Sequence, residues 1–397
     1  MKLNKVYFAI LLSTLPLSAV QAAGLDRSGQ SISAFLQPGN YAEAGISVLD
    51  PDVKGLDKNK KTVSDMAGDY YFVNAAIKVQ ATDKISLGLI YDQPFGADAQ
   101  YQVENNAFSE NNQGTSVDVK TQNLTALIGY QPNENWNFYA GPVWQTVEAD
   151  ISLRGNAYAK ERDGVPLGTL SGYQIKVSEK EAYGWLAGAA YQIPEIALKA
   201  SITYRSEVDH KANTSETFGF GTVQGSDALG LPKGTTFKTQ AITPQSVNID
   251  FQTGVAQNTL AFANVRWVHW DNFVVTPYYL ATLTQALGKK QNLIDYSDDQ
   301  WSANIGIGHK FNDKWSATTA IGWDSGAGNP VTTLGPTEGY WSVGLGGQYS
   351  PAENYFIQAG VKYFWLGDAQ AQTGGEVKGS FEDNHALGYG MKIGYRF

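Results

Sequence analysis

The sequence predicts an all-β fold, a transmembrane antiparallel β-barrel of about 14 strands. Apolar and small or polar residues alternate in many short segments, which is the period of a strand. Short polar turns alternate with long polar connections, as at the two ends of a membrane barrel. Mean hydropathy is −0.28, and no uninterrupted apolar stretch of transmembrane-helix length follows the N-terminus, which argues against a helical membrane protein.

Composition excludes several functional classes. The 397 residues include no cysteine, which excludes a disulfide scaffold, thiol catalysis and thiolate metal sites. The formal net charge of −9 argues against a nucleic-acid partner. Aromatic residues make up 12% of the chain, so a large apolar surface needs an environment that accepts it.

The first residues predict export. Lys2 and Lys5 precede an apolar run, and the small residues around Ala22 suit a cleavage site. We expect residues 1–22 to be a signal peptide, 23–39 a short N-terminal plug segment, and 40–397 the barrel with long extracellular loops. The predicted location is the bacterial outer membrane.

The C-terminal segment shows the alternation most clearly. One face is large and apolar, and the other carries glycine, lysine and arginine, which suits a lumen better than a packed core. An amphipathic last strand with tyrosine two residues before a terminal phenylalanine resembles the assembly signal of outer-membrane barrels. The apolar face consists of Leu387, Tyr389, Met391, Ile393, Tyr395 and Phe397.

Turn positions set the number of strands. Six tight turns, each between alternating segments, predict six hairpins, and one strand on either side of them gives about fourteen. The outermost strands are expected around 40–48 and 385–397. The turns are at 81–84, 132–135, 193–195, 256–259, 312–314 and 351–354.

Large aromatic residues cluster near the predicted strand ends. Amphipathic rings favour the membrane–water interface, so these residues predict an aromatic girdle. They are Trp301, Trp315, Trp323, Trp341, Tyr349, Trp365 and Phe397.

Several local sequences, taken in order along the strands, resemble the FadL/TodX family of outer-membrane channels. They are Ala23-Gly24, Asp50-Pro51-Asp52-Val53, Thr203-Tyr204-Arg205-Ser206-Glu207-Val208, Thr243-Pro244-Gln245, and Trp270 with Phe273. The resemblance implies a monomeric fourteen-stranded barrel that carries fatty acids or other hydrophobic molecules, with an internal plug and a sideways exit. The chain lacks the family's Asn-Pro-Ala hatch signature, so we expect an abbreviated plug.

Two long connections carry candidate substrate-capture residues. Uptake of a hydrophobic molecule needs apolar surface outside the membrane, and exposed apolar patches usually mark binding surfaces. Alternatively, these side chains pack the loops onto the barrel mouth. The candidates are Val165, Leu167, Leu170, Phe218, Phe220, Leu229 and Leu231.

The third strand contains a candidate lateral opening at Pro94, Phe95 and Gly96. Proline cannot donate to the ladder and glycine permits a bulge. The alternative is that the strand ends at Tyr91 and that Pro94 begins a loop. The resemblance favours the first interpretation, because it aligns the family's kinked third strand with this segment.

A fatty-acid carboxylate inside the barrel would bind a cation among apolar residues. Alternation directs several cations into the lumen, and we single out Arg205 and Arg266 as carboxylate-binding candidates. The alternative is that such charges pair with lumen acids or remain solvated.

Enzymatic chemistry has no support in the sequence. None of the four histidines has a serine and an acid at a recognisable spacing, and no phosphate-binding loop precedes a helix. Acid pairs such as Asp298-Asp299 suit calcium, but surface loops explain them equally well. We therefore expect no catalytic residue, cofactor or metal.

The predicted function is passive uptake of hydrophobic molecules, and the alternative is a general or sugar-type diffusion porin. Expected partners are a fatty acid or detergent-like amphiphile, outer-membrane lipid and lipopolysaccharide.

Overall fold

The computed structural model of the protein describes residues 25–162, 165–233 and 235–397, with no side chains described between 160 and 167. The predicted signal peptide and the first two residues of the predicted plug segment lie outside the described residues.

Fourteen antiparallel strands form one closed barrel, which confirms the predicted fold class. The strands β3, β7 and β8 each consist of two segments. The bounds are β1 Tyr41–Asp52, β2 Tyr70–Gln80, β3 Ile85–Asp92 and Gly96–Gln100, β4 Ser116–Tyr130, β5 Trp136–Leu153, β6 Tyr173–Ile193, β7 Leu198–Arg205 and Val208–Phe218, β8 Phe237–Thr243 and Ser246–Ala256, β9 Thr259–Val268, β10 Gln300–Lys310, β11 Trp315–Asp324, β12 Tyr340–Ala352, β13 Tyr355–Leu366 and β14 His385–Arg396.

The barrel closes between its first and last strands. β1 pairs with β14 from Tyr41 opposite Arg396 to Asp52 opposite His385, and with β2 on its other side. Closure leaves no strand edge, whose unpaired backbone N–H and C=O groups would find no hydrogen-bond partners in lipid.

Exposure alternates along the strands as the sequence predicts. The apolar face of β14 is exposed on the outer wall, while Lys392 on its other face is buried and forms an ion pair with Glu43 at 3.1 Å. The ladder also aligns the predicted girdle residues, with Trp341 opposite both Trp323 and Trp365. The sequence therefore places the outer face of the barrel correctly.

The short turns connect the strands at one end of the barrel, and the long connections project from the other, which we call the long-loop end. Within the part of the chain that the structure describes, two α-helices lie in these connections, α1 (Gly225–Ala228) and α2 (Tyr278–Ala286), together with the 3₁₀ turn Asn156–Tyr158. The 3₁₀ turn Pro194–Ile196 lies at the short-turn end. Among the described residues, no helix is long and apolar enough to cross a membrane.

Short strands from three connections form a second, five-stranded sheet at the long-loop end. Tyr101, Phe108 and Phe381 cluster beside it, and Tyr101 Oη donates to the Thr333 carbonyl at 2.6 Å. The sheet consists of Gly55–Asp57, Thr62–Val63, Val331–Thr332, Ala369–Thr373 and Glu376–Phe381. Short pairs also form between Ser109–Glu110 and Gln113–Gly114, Ala159–Arg162 and Val165–Thr169, and Val274–Val275 and Ile294–Asp295, and Val223–Gln224 pairs with the end of β7.

Candidate functional site

Residues 25–39, which we call the N-terminal segment, pack against inward-facing side chains of the barrel. Ile32, Phe35 and Leu36 are buried in an apolar cluster with Leu127, Tyr139, Val143, Leu186 and Ala190 of β4, β5 and β6. The Phe35 ring meets that of Tyr139 edge-on, with 5.9 Å between centroids. The segment is thus held by apolar burial as well as by the polar contacts below.

Two glycines on the inner wall make room for Phe35. A Cβ atom at Gly88 would lie 2.5 Å from Phe35 Cδ2, and one at Gly129 would lie 3.0 Å from Phe35 Cε1. Glycine on the lumen face, which alternation predicts, therefore serves here to admit an aromatic ring from the N-terminal segment.

Two inward lysines bind backbone carbonyls of the N-terminal segment. Lys78 Nζ donates to Gln37 O at 2.7 Å, and Lys199 Nζ donates to Leu36 O at 2.8 Å. Both contacts are at the end of the segment that leads into β1.

Two inward arginines bind the other end of the segment. Arg266 Nε lies 2.7 Å from Asp26 Oδ2, and the same guanidinium donates to Asn248 Oδ1 and Gln30 Oε1. Arg205 Nη2 donates to the Gln30 carbonyl. These are the two cations that the sequence singles out for a substrate carboxylate; in this structure Arg266 instead binds the carboxylate of Asp26, the ion-paired alternative.

The third strand is interrupted between Asp92 and Gly96. Asp92 pairs with Asn123 of β4, and Gly96 pairs with Lys120. Between these two pairs β3 advances by four residues, whereas β4 advances by only three. One extra residue therefore bulges out of the ladder between these pairs. The alternative interpretation, in which the strand ends at Tyr91, is wrong, because Gly96–Gln100 continues the pairing with β4.

The bulge separates β3 from β2. Pairing between these strands reaches Ala75 opposite Tyr91 and stops, although β2 begins at Tyr70. The side chain of Gln93 partly fills the gap, since its Oε1 accepts from the Val73 backbone N–H at 3.0 Å. We call the gap between Tyr70–Asn74 and residues 93–96 the wall break.

The N-terminal segment is fastened to the inner side of the wall break. Arg27 N donates to Pro94 O at 2.7 Å, and Gly96 N donates to Leu25 O at 2.9 Å. Ser28 Oγ donates to Asp92 Oδ2 at 2.5 Å. The backbone groups of β3 that have no partner on β2 therefore form hydrogen bonds with the N-terminal segment inside the barrel.

A small, mostly apolar cavity of about 60 Å³ lies beside the wall break. Its cation is Arg27, whose guanidinium carbon lies 4.7 Å from the centre of the Tyr70 ring. Sequence reasoning missed Arg27. This residue precedes the first strand, so the alternation of apolar and polar residues does not predict where its side chain points. The apolar lining includes Leu25, Leu49, Val53, Met66, Ala97, Val117, Ile294 and Leu334.

The predicted capture residues differ in their surroundings. Leu170 is only 2% exposed and packs in the core of the loops, which corrects its assignment to an exposed capture surface. Leu231 is 38% exposed, whereas Phe218, Phe220 and Leu229 are half-buried. Phe220 packs against Arg154. The side chains of Val165 and Leu167 lie outside those that the structure describes.

One group of potential metal ligands occurs among the described residues, formed by His269, Asp271 and Asp299. His269 Nδ1 lies 2.9 Å from Asp299 Oδ1, and Trp267 Nε1 donates to the other oxygen at 2.8 Å. The group is partly exposed, and these mutual contacts account for its geometry.

A family model described as outer membrane protein transport protein (OMPP1/FadL/TodX) matches residues 29–397. The chain belongs to this family. Members of the FadL/TodX family are outer-membrane transport channels and not enzymes. No curated protein sequence matches the chain significantly.

Solved structures of FadL/TodX proteins share the fold. A FadL homologue of Pseudomonas aeruginosa superposes with a TM-score of 0.70 at 15% identity, covering 96% of this chain and 98% of that one. The toluene transporter TodX of Pseudomonas putida gives 0.61 at 13% identity, covering 95% and 96%. The toluene transporter TbuX of Ralstonia pickettii gives 0.60 at 13% identity, covering 98% and 99%.

Proposed function

We propose that this FadL/TodX protein takes up hydrophobic molecules passively across the outer membrane and releases them sideways through the wall break. The observation that carries the proposal is the position of the apolar cavity, which is lined by Tyr70 of the wall break and by Ala97, the residue that follows the break. A cargo molecule in the cavity lies beside the place where the wall lacks backbone pairing.

The N-terminal segment supports a non-aqueous route. It occupies the lumen and binds four inward cations, so cargo that enters from the long-loop end meets a filled barrel rather than an open pore. A lateral exit avoids this obstruction and delivers an apolar molecule into lipid, where its transfer is favourable.

The anionic end of a fatty acid has candidate partners along this route. Arg27 lines the cavity, and Arg205 and Arg266 lie deeper, behind Asp26 and Gln30. A substrate carboxylate reaches Arg266 only by displacing Asp26, so we propose that Arg266 serves cargo only after the N-terminal segment moves.

Deletion of Pro94 tests the side exit. The deletion removes the extra residue of β3, so that Gln93 and Phe95 fall opposite Gln122 and Thr121 and the ladder with β4 becomes regular. We expect uptake of a fluorescent fatty acid into proteoliposomes to fall several-fold, while the barrel still folds.

Substitution of Pro94 by alanine is the matched control, because it keeps the extra residue. This variant should transport like the unmodified protein. Normal uptake by the deletion variant would reject the side exit.

Planar-bilayer conductance tests the alternative of a diffusion porin. A barrel filled by its N-terminal segment should pass little steady current while still transferring fatty acid. A large steady current without fatty-acid transfer would favour the porin.

A further inference from the structure

A second gap exists in the backbone ladder of the barrel wall, between β6 and β7. Pairing of these strands stops at Leu186 opposite Arg205 and resumes at Val177 opposite Thr214. The structure describes this part of the chain completely, and here residues 178–185 and 206–213 have no partner across the gap in the ladder. We call this gap the β6–β7 slit.

The slit follows from a bend that β7 and β8 make together. β7 is interrupted between Arg205 and Val208, and β8 is interrupted at the same level between Thr243 and Ser246. Pro244, which cannot donate to a ladder, lies in the second interruption. The two strands remain paired to each other, with Arg205 opposite Ser246 and Val208 opposite Thr243, so they leave β6 as a unit.

Hydrogen bonds cross the slit at two places. At the end of the slit nearer the short turns, Ser206 N donates to Trp185 O at 2.9 Å, and Trp185 N donates to Ser206 Oγ at 3.0 Å. Further along, His210 Nδ1 lies 3.1 Å from Lys180 O. Side-chain contacts thus replace most of the backbone ladder, and they can be broken without unfolding a strand.

The rim of the slit is suited to the membrane interface. Tyr183 is 71% exposed and Trp185 is 51% exposed, and the Trp185 ring lies 5.2 Å from that of Tyr204. Amphipathic rings of this kind mark the headgroup level of a bilayer. The slit therefore opens where the apolar chain of a lipid-like molecule begins.

A chain of buried polar side chains connects the slit to the wall break. Asp92, Asn123, Gln145 and Ala182 lie on one row of the ladder. Asn123 Nδ2 donates to Asp92 Oδ1 at 3.1 Å, Gln145 Nε2 donates to Asn123 Oδ1 at 3.4 Å, and His210 Nε2 lies 3.0 Å from Gln145 Oε1. Asp92 also accepts from Ser28 of the N-terminal segment, so both gaps share one hydrogen-bonded network.

We propose that the β6–β7 slit is a second lateral port, through which the apolar chain of an amphiphile passes from the outer leaflet into the barrel, and that His210 is its latch. The proposal rests on the proposed function, because it supplies the same cavity with cargo. Cargo dissolved in the membrane surface then reaches the lumen without crossing the loops.

A reversible tether tests the port, and the absence of cysteine in the chain makes it specific. A Cβ at Gly184 would lie 2.8 Å from Ser206 Oγ, so G184C with S206C brings two thiols within disulfide reach across the slit. We expect fatty-acid uptake by the folded, oxidised protein to fall several-fold and to recover on reduction.

The matched control places a tether across strands that are already paired. Ala317 lies opposite Gly347 on β11 and β12, so A317C with G347C should leave uptake unchanged in both redox states. Unchanged uptake with the oxidised slit tether would overturn the port. If the Pro94 deletion still lowers uptake several-fold in that case, the proposed function stands and only the port is lost.

Photolabelling gives a second measurement that does not depend on a variant. A diazirine-bearing fatty acid, illuminated with the unmodified protein in bilayers, should label peptides that contain residues 178–185 or 206–213. Labelling confined to the loops and the wall break would also overturn the port.

Discussion

Arg266 and Asp26 form a fully buried ion pair that joins β9 to the N-terminal segment across 240 positions of sequence. Their closest atoms are 2.7 Å apart, and the side chains are 1% and 0% exposed. Because removal of one partner leaves the other charge buried, such pairs act as strong positional restraints. This contact is therefore one of those that fix the position of the segment in the lumen.

Substitution of Arg266 by methionine should detach the N-terminal segment. Removal of one partner of a buried ion pair is destabilising by about 3–5 kcal/mol. Here the substitution should weaken the attachment of the N-terminal segment to the barrel. We expect faster hydrogen exchange in residues 25–39 and a higher conductance, measured by mass spectrometry and in planar bilayers. K392M is the control, since Lys392 pairs with Glu43 on the barrel wall and not with the segment.

Phe35 and Gly88 should show strong energetic coupling. Gly88→Ala places a Cβ 2.5 Å from the Phe35 ring and should cost about 1–3 kcal/mol through overpacking. Phe35→Ala should cost about 3–5 kcal/mol, since a large buried ring is lost. In the double variant the clash is absent, so the loss measured by denaturant unfolding in detergent should be smaller than the sum; additive losses would contradict the contact.

Glu216 should control the order of α2. Its carboxylate accepts from Tyr279 N at 3.1 Å, Leu280 N at 3.0 Å and Tyr173 Oη at 2.7 Å. Glu216→Ala leaves buried donors unsatisfied, at about 1–3 kcal/mol for each such group, so hydrogen exchange in α2 should accelerate. Glu216→Gln retains an acceptor oxygen and should have a smaller effect; equal exchange in both variants would exclude the capping role.

Glu338 should make the connection between β11 and β12 sensitive to pH. Burial raises the pKa of Glu338 from 4.5 to about 7, with Asp298 nearby adding to the shift, although Gly328 N donates to its Oε1 at 3.0 Å. A carboxyl group with a raised pKa favours the folded loop while it is protonated. The contribution is therefore fully present below pH 4.5 and is lost as the pH rises through about 7.

Limited proteolysis of residues 325–339 at several pH values measures this effect. Cleavage should increase between about pH 5 and 8 in the unmodified protein. In the Glu338→Gln variant the side chain cannot ionise. Its cleavage between residues 325 and 339 should therefore change with pH no more than cleavage in another exposed loop of the same protein, which reports the pH dependence of the protease itself. Retention of the full dependence by this variant would assign it to another group.

The wall break and the β6–β7 slit differ in how far the sequence predicts them. Pro94 and Gly96 interrupt an alternating segment, so the break in β3 is visible locally. The slit has a local sign in Pro244, but the strand that loses its partner is β6, which runs without interruption from Tyr173 to Ile193. Its detection requires the pairing between strands.

The sequence by itself determined the barrel, its strand number and its lipid-facing side chains, because alternation and turn chemistry depend on residues that are close along the chain. Only the tertiary structure decided which partners the lumen charges have and where the wall is open. Arg266 faces inward by alternation, yet its partner Asp26 belongs to a segment without periodicity and is brought near by closure of the barrel. Contacts of this kind depend on how distant segments meet in three dimensions, and no local pattern encodes that meeting.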